Sequence, residues 1–254
     1  MSSSHDTVPT ADSKEVAFFN SISDLWWGSK NLLHYFNSLR VPLVRDGLID
    51  TGLVKKKFVN SSKPLEGLRI LDVGCGGGIL TEDLAALGCA VVGIDLGSDS
   101  INIAKSHATL NPSLTNISYF CESVEDHAKH NPEKYDAIVA SEVIEHVNEP
   151  ELFLEHCTKC LKPGGSIFIT TFNKTWSSWL LGIIFAEYIW GFIPRGTHTW
   201  DKFFDPKDIE VMLEKFNCRT RSVRGVIYNC FTKTWHWWWS SSITYTLQGV
   251  KRHE

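Results

Sequence analysis

The run Leu71-Asp72-Val73-Gly74-Cys75-Gly76-Gly77-Gly78, taken together with Asp95, constrains this chain more than any other feature. Residues 69–73 read as a short buried strand and the glycines as a tight turn, and residues 79–87 carry apolar side chains at helical spacing. A second apolar run, 90–94, ends at Asp95, 17 positions beyond Gly78. The pattern predicts a strand, a glycine loop, a helix and a second strand that ends in a carboxylate. Such a unit accommodates an adenosine-containing ligand, because glycines let the backbone approach closely and the acid takes ribose hydroxyls. The spacing is Gly-x-Gly-x-Gly, with Ile79 where a dinucleotide loop would have its last glycine. Asp72 adds a negative charge beside the loop, which is unfavourable next to a pyrophosphate and favourable next to a cation. S-adenosylmethionine carries a sulfonium and an ammonium and no phosphate, so it fits better than NAD.

A length of 254 residues suits one α/β domain with additions and allows a large core. The net charge of −4 gives no global signature of nucleic-acid binding, and no nucleic-acid partner is expected. Cysteines 75, 89, 121, 157, 160, 218 and 230 are odd in number and lack paired metal spacing, which predicts free thiols in a reducing compartment. Cys157-x-x-Cys160 has no second pair and reads as structural. Residues 1–13 are polar, with neither the apolar core of a secretory signal nor the arginines of a transit peptide, and are expected to be a disordered leader.

Residues 14–67 read as an N-terminal helical cap followed by a polar linker, and 68–254 as the main domain. Strand signals at 69–73, 90–95, 117–121, 135–141 and 166–171 alternate with helical stretches. Alternation implies parallel βαβ units, hence a doubly wound, Rossmann-like α/β sheet, mostly parallel and of seven strands, the last from 219–228 and 243–247. A further helix is expected to start at Asp205-Pro206. Ligands of such sheets bind outside the carboxyl ends of the strands. Gly74, Asp95, Cys121-Glu122-Ser123 and Ser141-Glu142 all fall at such ends, so their motifs converge on one crevice. The aromatic-rich insert 173–200 contains Trp176, Trp179, Trp190 and Trp200 and an apolar stretch, 179–193, interrupted by Glu187. That stretch is too short to span a bilayer, which needs roughly 20 residues. It suits either an interfacial membrane contact or an amphipathic lid on the protein's own core. Trp235-His236-Trp237-Trp238-Trp239 suits a rim strand, a substrate wall or a second membrane contact.

The fourth strand leads into Ser141-Glu142-Val143-Ile144-Glu145-His146-Val147. If a helical turn starts here, Glu142, Glu145 and His146 share a face. Two carboxylates and an imidazole make a candidate divalent-cation site, with Mg²⁺ or Mn²⁺ favoured and Zn²⁺ tolerated. The other readings are His146 alone as general base, Glu142 as a cofactor-side residue, and three ordinary polar residues at a helix start.

These motifs resemble the O-methyltransferases of ubiquinone biosynthesis over about residues 14–250. The resemblance rests on Leu39-Arg40-Val41, the glycine loop through Ile79-Leu80, the 142–147 cluster, Leu161-Lys162-Pro163-Gly164-Gly165 and Pro194-Arg195-Gly196-Thr197-His198. It implies methylation of catechol-type hydroxyls on polyprenylated dihydroxybenzoates and on a demethylubiquinol. It implies that Arg40 closes on the cofactor carboxylate and that the Gly74–Gly76 backbone contacts the cofactor. Asp95 would hold the ribose, Ser141 would line the methionine side, and Glu142, Glu145 and His146 would ligate Mg²⁺. It also implies membrane contact through 173–200, peripheral location on the matrix side of the mitochondrial inner membrane, and partners in a ubiquinone-biosynthesis complex. The rivals are a C-methyltransferase of the same pathway, a methyltransferase of unrelated substrate, and a non-catalytic membrane-docked scaffold.

Overall fold

The computed structural model of the chain describes residues 10, 12–28, 31–175, 203–229 and 231–253. Helix α1 (Ser13–Ser21) is capped by Asp12, whose side chain accepts from Lys14 N at 2.9 Å. Helix α2 (Leu32–Asp50) is capped in the same way by Asn31. A turn-rich linker then leads into β1 (Arg69–Val73), α3 (Ile79–Ala86), β2 (Ala90–Asp95), α4 (Ser98–Ala108) and β3 (Ile117–Cys121). The second half contains α5 (Val124–His130), β4 (Tyr135–Ser141), α6 (Pro150–Cys160), β5 (Leu161–Phe172) and α7 (Pro206–Lys215). It closes with β6 (Cys218–Asn229), β7 (Thr234–Trp238) and β8 (Thr244–Lys251). Asp205 caps α7 by accepting from Lys207 N, with Pro206 in the first turn, as the sequence suggested.

One sheet of eight strands runs in the order β3-β2-β1-β4-β5-β8-β6-β7. Strands β1 to β5 pair in parallel, and β8, β6 and β7 pair antiparallel beyond them. The expectation of seven strands falls one short, and the additional strand is β7. It is built from the consecutive tryptophans: Trp235 is buried and stacks on Phe36 of α2 at 4.3 Å, and Trp237 packs on the same side. Aromatic side chains on both faces hid the period of two that marks a half-buried strand.

The core lies on both faces of the sheet. On one, Leu43, Val44 and Leu48 of α2 and Leu80 and Leu84 of α3 cover Ile70, Val139 and Phe168. On the other, α5, α6 and α7 bring Val124, Phe153, Leu154, Ile209 and Leu213 against Ile138 and Ile167. Each such aliphatic side chain contributes about 1.5–3 kcal/mol on burial. Cys157 and Cys160 are wholly buried in this second layer, consistent with a structural role. The six cysteines among the described residues are free thiols. No helix of the described residues is long and apolar enough to cross a membrane.

The parallel order places the carboxyl ends of β1, β2 and β4 along one edge, where β1 has β2 on one side and β4 on the other. The chain winds outward in both directions from β1, which opens a crevice at this edge.

Candidate active site

At the end of β1 the backbone turns through left-handed conformations at Gly74 (φ +70°), Gly76 (φ +52°) and Gly78 (φ +85°). A Cβ on Gly74 would lie 2.5 Å from a methyl of Val143, so the loop and the segment after β4 touch there. Asp95, at the end of β2, braces the loop: its carboxylate accepts from Gly76 N at 2.9 Å and from Gly97 N at 2.7 Å. Burial raises its pKa, and the backbone donors of Gly97, Gly76 and Leu96 oppose that rise. Asp72 is buried one turn beneath and accepts from Thr81 Oγ1 at 2.6 Å. Burial pushes its pKa up to about 6, against the pull of Thr81 and Arg40.

The N-terminal cap forms the roof. Trp26 lies over the loop, so that a Cβ on Gly76 would meet its ring at 2.7 Å, and its Nε1 donates to Ser100 Oγ. Trp27 Nε1 donates to the Gly77 carbonyl at 2.8 Å, and its ring stacks on His107. Beneath the cap, one cavity is lined by Gly74 and Asp95 on one side and by Glu142, Val143 and His146 on the other. Glu15, Phe19 and Trp26 border it from the cap, and Glu122 and Ser123 from the end of β3. Thr10 also lines it, donating from its backbone N to Glu125 and accepting from Asn148 N.

The segment after β4 is not a regular α-helical turn. Glu142 takes a left-handed conformation (φ +58°), and only Ile144–His146 form a short 3₁₀ turn. Non-glycine residues held there concentrate at functional sites. Glu142 and His146 face the cavity, whereas Glu145 is buried and accepts from Thr171 Oγ1 at 2.9 Å. Among the described residues no three His, Cys, Asp or Glu side chains form a ready-made metal cluster. The carboxylates are nonetheless close enough to perturb each other. Burial and then Glu145 raise the Glu142 pKa, against Thr170, Arg40 and His146, and burial also raises that of Glu145. Burial alone would lower the His146 pKa, but Glu15, 3.4 Å from its Nδ1, together with Glu145 and Glu142 raises it instead.

Arg40 is buried and reaches the crevice from α2. Its Nη1 donates to Ser141 Oγ at 3.0 Å, Ser141 bonds Thr170 Oγ1 at 2.8 Å, and Thr170 donates to Glu142 Oε1 at 2.7 Å. Because Arg40 can only donate and the carboxylate only accept, the hydroxyl protons of this chain all point towards Glu142. Burial brings the Arg40 pKa down to about 10, and the charges of Glu142, Asp72 and Asp83 oppose that fall. Glu15, Phe19, Trp26, Thr170 and Thr171 were not foreseen as site residues. Thr170 and Thr171 carried a signal, being at the carboxyl end of an expected strand, whereas nothing in the sequence couples Glu15 to His146.

A family model described as a methyltransferase domain matches residues 51–223. The chain is 46% identical over 251 residues to the mitochondrial ubiquinone biosynthesis O-methyltransferase of Rattus norvegicus, covering 97% of this chain and 72% of that protein. The chain belongs to the ubiquinone biosynthesis O-methyltransferase family. The family's protein from Chelativorans sp. is 40% identical, with 89% of this chain and 88% of that one covered. The chain spans 65% of the length of the mouse relative. A crystal structure of magnesium protoporphyrin IX methyltransferase from Synechocystis with bound SAH shares the fold, with a TM-score of 0.63, 19% identity and 95% of each chain covered. As a member of the ubiquinone biosynthesis O-methyltransferase family, the protein is an S-adenosylmethionine-dependent O-methyltransferase. The insert read as its membrane contact lies, from residue 176 to 202, outside the described residues.

Proposed function

We propose that the protein methylates a catechol-type hydroxyl of 3,4-dihydroxy-5-polyprenylbenzoate and of demethylubiquinol, assisted by Mg²⁺. The observation that carries this reading is the turn after β4, the strand next to β1 and its glycine loop, where Glu142 and His146 line the cavity that Gly74 and Asp95 also line and Glu145 lies buried behind them. Two adjacent carboxylates with raised pKa values and an imidazole beside them form a donor set whose negative charge a hard dication would neutralise. Glu142, Glu145 and His146 would hold that cation after exchanging their present partners Thr170, Thr171 and Glu15. Bound there, Mg²⁺ would orient vicinal oxygens and lower the pKa of the hydroxyl to be methylated.

The remaining steps use the chain's own residues. The Gly74–Gly76 backbone and Asp95 position S-adenosylmethionine, with Arg40 and Ser141 on its methionine side. Asp72 contributes the negative charge that suits a sulfonium and an ammonium. With the cation bound, the acceptor hydroxyl would lose its proton to water; without it, His146 takes that proton and Glu15 stabilises the imidazolium that results. Phe19, Trp26 and α1 exclude water above the reacting atoms. Holding acceptor and methyl donor in line supplies roughly 7–11 kcal/mol of barrier reduction. The polyprenyl tail stays in the bilayer, reached through 173–200. Mitochondrial relatives from Rattus norvegicus and Dictyostelium discoideum support a mitochondrial location, and within it the proposed site of action is the matrix side of the inner membrane, in contact with other proteins of the pathway.

The test is methyl transfer to a short-chain prenylated dihydroxybenzoate with Mg²⁺ and then with EDTA. Product that requires the metal is the expected result. Product indifferent to EDTA would remove the cation and leave His146 as base. A C-methylated product, or none while cofactor still binds, would overturn the substrate assignment.

A further inference from the structure

The antiparallel end of the sheet presents aromatic rings to solvent at the same edge as the active site. Strand β6 is antiparallel to β8, which is antiparallel to β5, so β6 ends at the carboxyl edge with β1 and β4. Its last pair with β8 is Val226↔Thr244, yet β6 continues through Ile227, Tyr228 and Asn229, paired only with β7. Three residues at about 3.3 Å each carry the hairpin roughly 10 Å past the sheet edge. Phe231, in the turn, is 95% exposed. The chain then returns from β7 to β8 across Gly225, where a Cβ would fall onto the Ser240 carbonyl. At the start of that return Trp239 is 88% and Trp238 42% exposed, their rings 6.0 Å apart. The Ser241 carbonyl in the same loop accepts from Asn173 Nδ2, one residue beyond the end of β5, so the patch adjoins the carboxyl end of that strand.

Large exposed aromatics grouped at one edge are costly unless something covers them. Charge identifies the occupant. The chain carries a net charge of −4, yet no Asp or Glu occurs between Glu214 and Glu254, while Arg224, near the projecting end of β6, and Lys233, in the hairpin turn, bring cations to this end. Arg224 lies 3.7 Å above the Trp237 ring. Aromatic rings with flanking cations on an otherwise acidic protein match the headgroup region of an anionic bilayer, where tryptophan is favoured and each nearby cation contributes about 1 kcal/mol.

We propose that the β6–β7 hairpin and the β7–β8 return loop are a lipid-bilayer contact, with Phe231, Trp238 and Trp239 seated among headgroups. This surface is separate from the insert, and it deepens the proposed function, on which its link to a polyprenylated acceptor rests. It turns the carboxyl edge of the sheet towards the membrane, so that an acceptor head group enters while its tail remains in lipid.

The experiment is co-sedimentation of the full chain with phosphatidylcholine vesicles, with and without phosphatidylglycerol. Wild type should pellet with the anionic vesicles, and the double variant Phe231→Ser/Trp239→Ser should bind them roughly tenfold or more weakly. Lys233→Glu should weaken binding to anionic vesicles only. These residues lie outside the catalytic machinery, so turnover of a water-soluble short-chain acceptor should be unchanged, which also reports that the variants are folded. Should the double variant lose that turnover, Phe231→Ser alone, at the most exposed position, replaces it. Double or single variants that pellet like wild type would overturn the proposal, and so would a wild type that pellets with neither vesicle. Failure of wild type to methylate the soluble acceptor would instead count against the substrate assignment and leave the vesicle result standing.

Discussion

The glycine loop after β1 and the acidic turn after β4 sit on neighbouring strands and touch at Gly74 and Val143, yet they are built on different principles. The loop is a backbone device. Its left-handed glycines, 74, 76 and 78, fall within five residues of sequence, and its brace, Asp95, ends the next strand. The acidic turn is a side-chain device whose groups are held by residues far away in sequence: Arg40, Glu15, Thr170 and Thr171. A backbone device grips a cofactor of constant shape. A side-chain device stores charge that a cation, a proton or an acceptor oxygen can draw on.

The largest effect should come from breaking the charge device alone. Glu145→Ala removes a buried carboxylate without touching the loop, so kcat should fall on the order of 10²–10⁴ while cofactor affinity changes little. Steady-state turnover and calorimetric titration of S-adenosylmethionine measure the two separately. Equal losses in both would mean that the two devices are one. Next comes Gly74→Ala, which joins the two. The left-handed backbone costs about 1–2 kcal/mol and crowding of Val143 about 1–3 kcal/mol more. Cofactor affinity, turnover and Tm should all decline. Gly52→Ala is the control, with a similar φ of +78° but nothing within 4 Å of the added Cβ, and should show the backbone cost alone.

This difference also explains what was legible beforehand. Strands β1, β2 and β4 end where the apolar runs end, because parallel strands in the interior of the sheet read as near-continuous hydrophobic stretches. The loop was legible because glycine at a positive φ leaves a local mark. The members of the acidic cluster were visible as residue types, but their arrangement was not. A helical face was expected for Glu142, Glu145 and His146, whereas Glu142 adopts φ +58° and Glu145 turns under the cavity floor towards Thr171. Such orientation depends on partners that no local pattern encodes. Strand β7 at the sheet's rim was one of three readings of the tryptophan run and could not be singled out for another reason: Trp235 faces the core and Trp238 the solvent, and identical residues on both faces erase the alternation.

Asp72 brings charge into the backbone half, and its titration sharpens the contrast. Its folded-state pKa of about 6 lies above the ordinary 3.8, so between those values the folded protein keeps a proton that the unfolded chain has lost. Stability from this group therefore falls as pH rises through that window, by at most about 3 kcal/mol. Asp72→Asn retains an acceptor for Thr81 and abolishes the titration. Denaturant unfolding between pH 4 and 7 should give a flatter profile and a more stable protein at pH 7. Cofactor affinity should drop in the same variant, because the negative charge beside the sulfonium is gone. Gains in both would refute the argument that Asp72 selects a cationic ligand.

The smallest effect concerns the roof, which serves both halves through different residues. Trp27 belongs to the loop side: its ring stacks on His107 at 3.3 Å and 4°, and its Nε1 bonds the Gly77 carbonyl. Trp27→Phe keeps an aromatic ring and loses the hydrogen bond, worth about 1 kcal/mol. Cofactor affinity should weaken severalfold at nearly constant kcat, and the segment before α2 should be cleaved faster by protease. Glu15 belongs to the acceptor side, through His146. Glu15→Gln removes the charge that favours the imidazolium, so the acidic limb of the turnover profile should move to lower pH while cofactor affinity holds. If both variants altered the same parameter, the cap would be a single lid; if they separate as stated, the division between cofactor grip and acceptor chemistry extends through the cap.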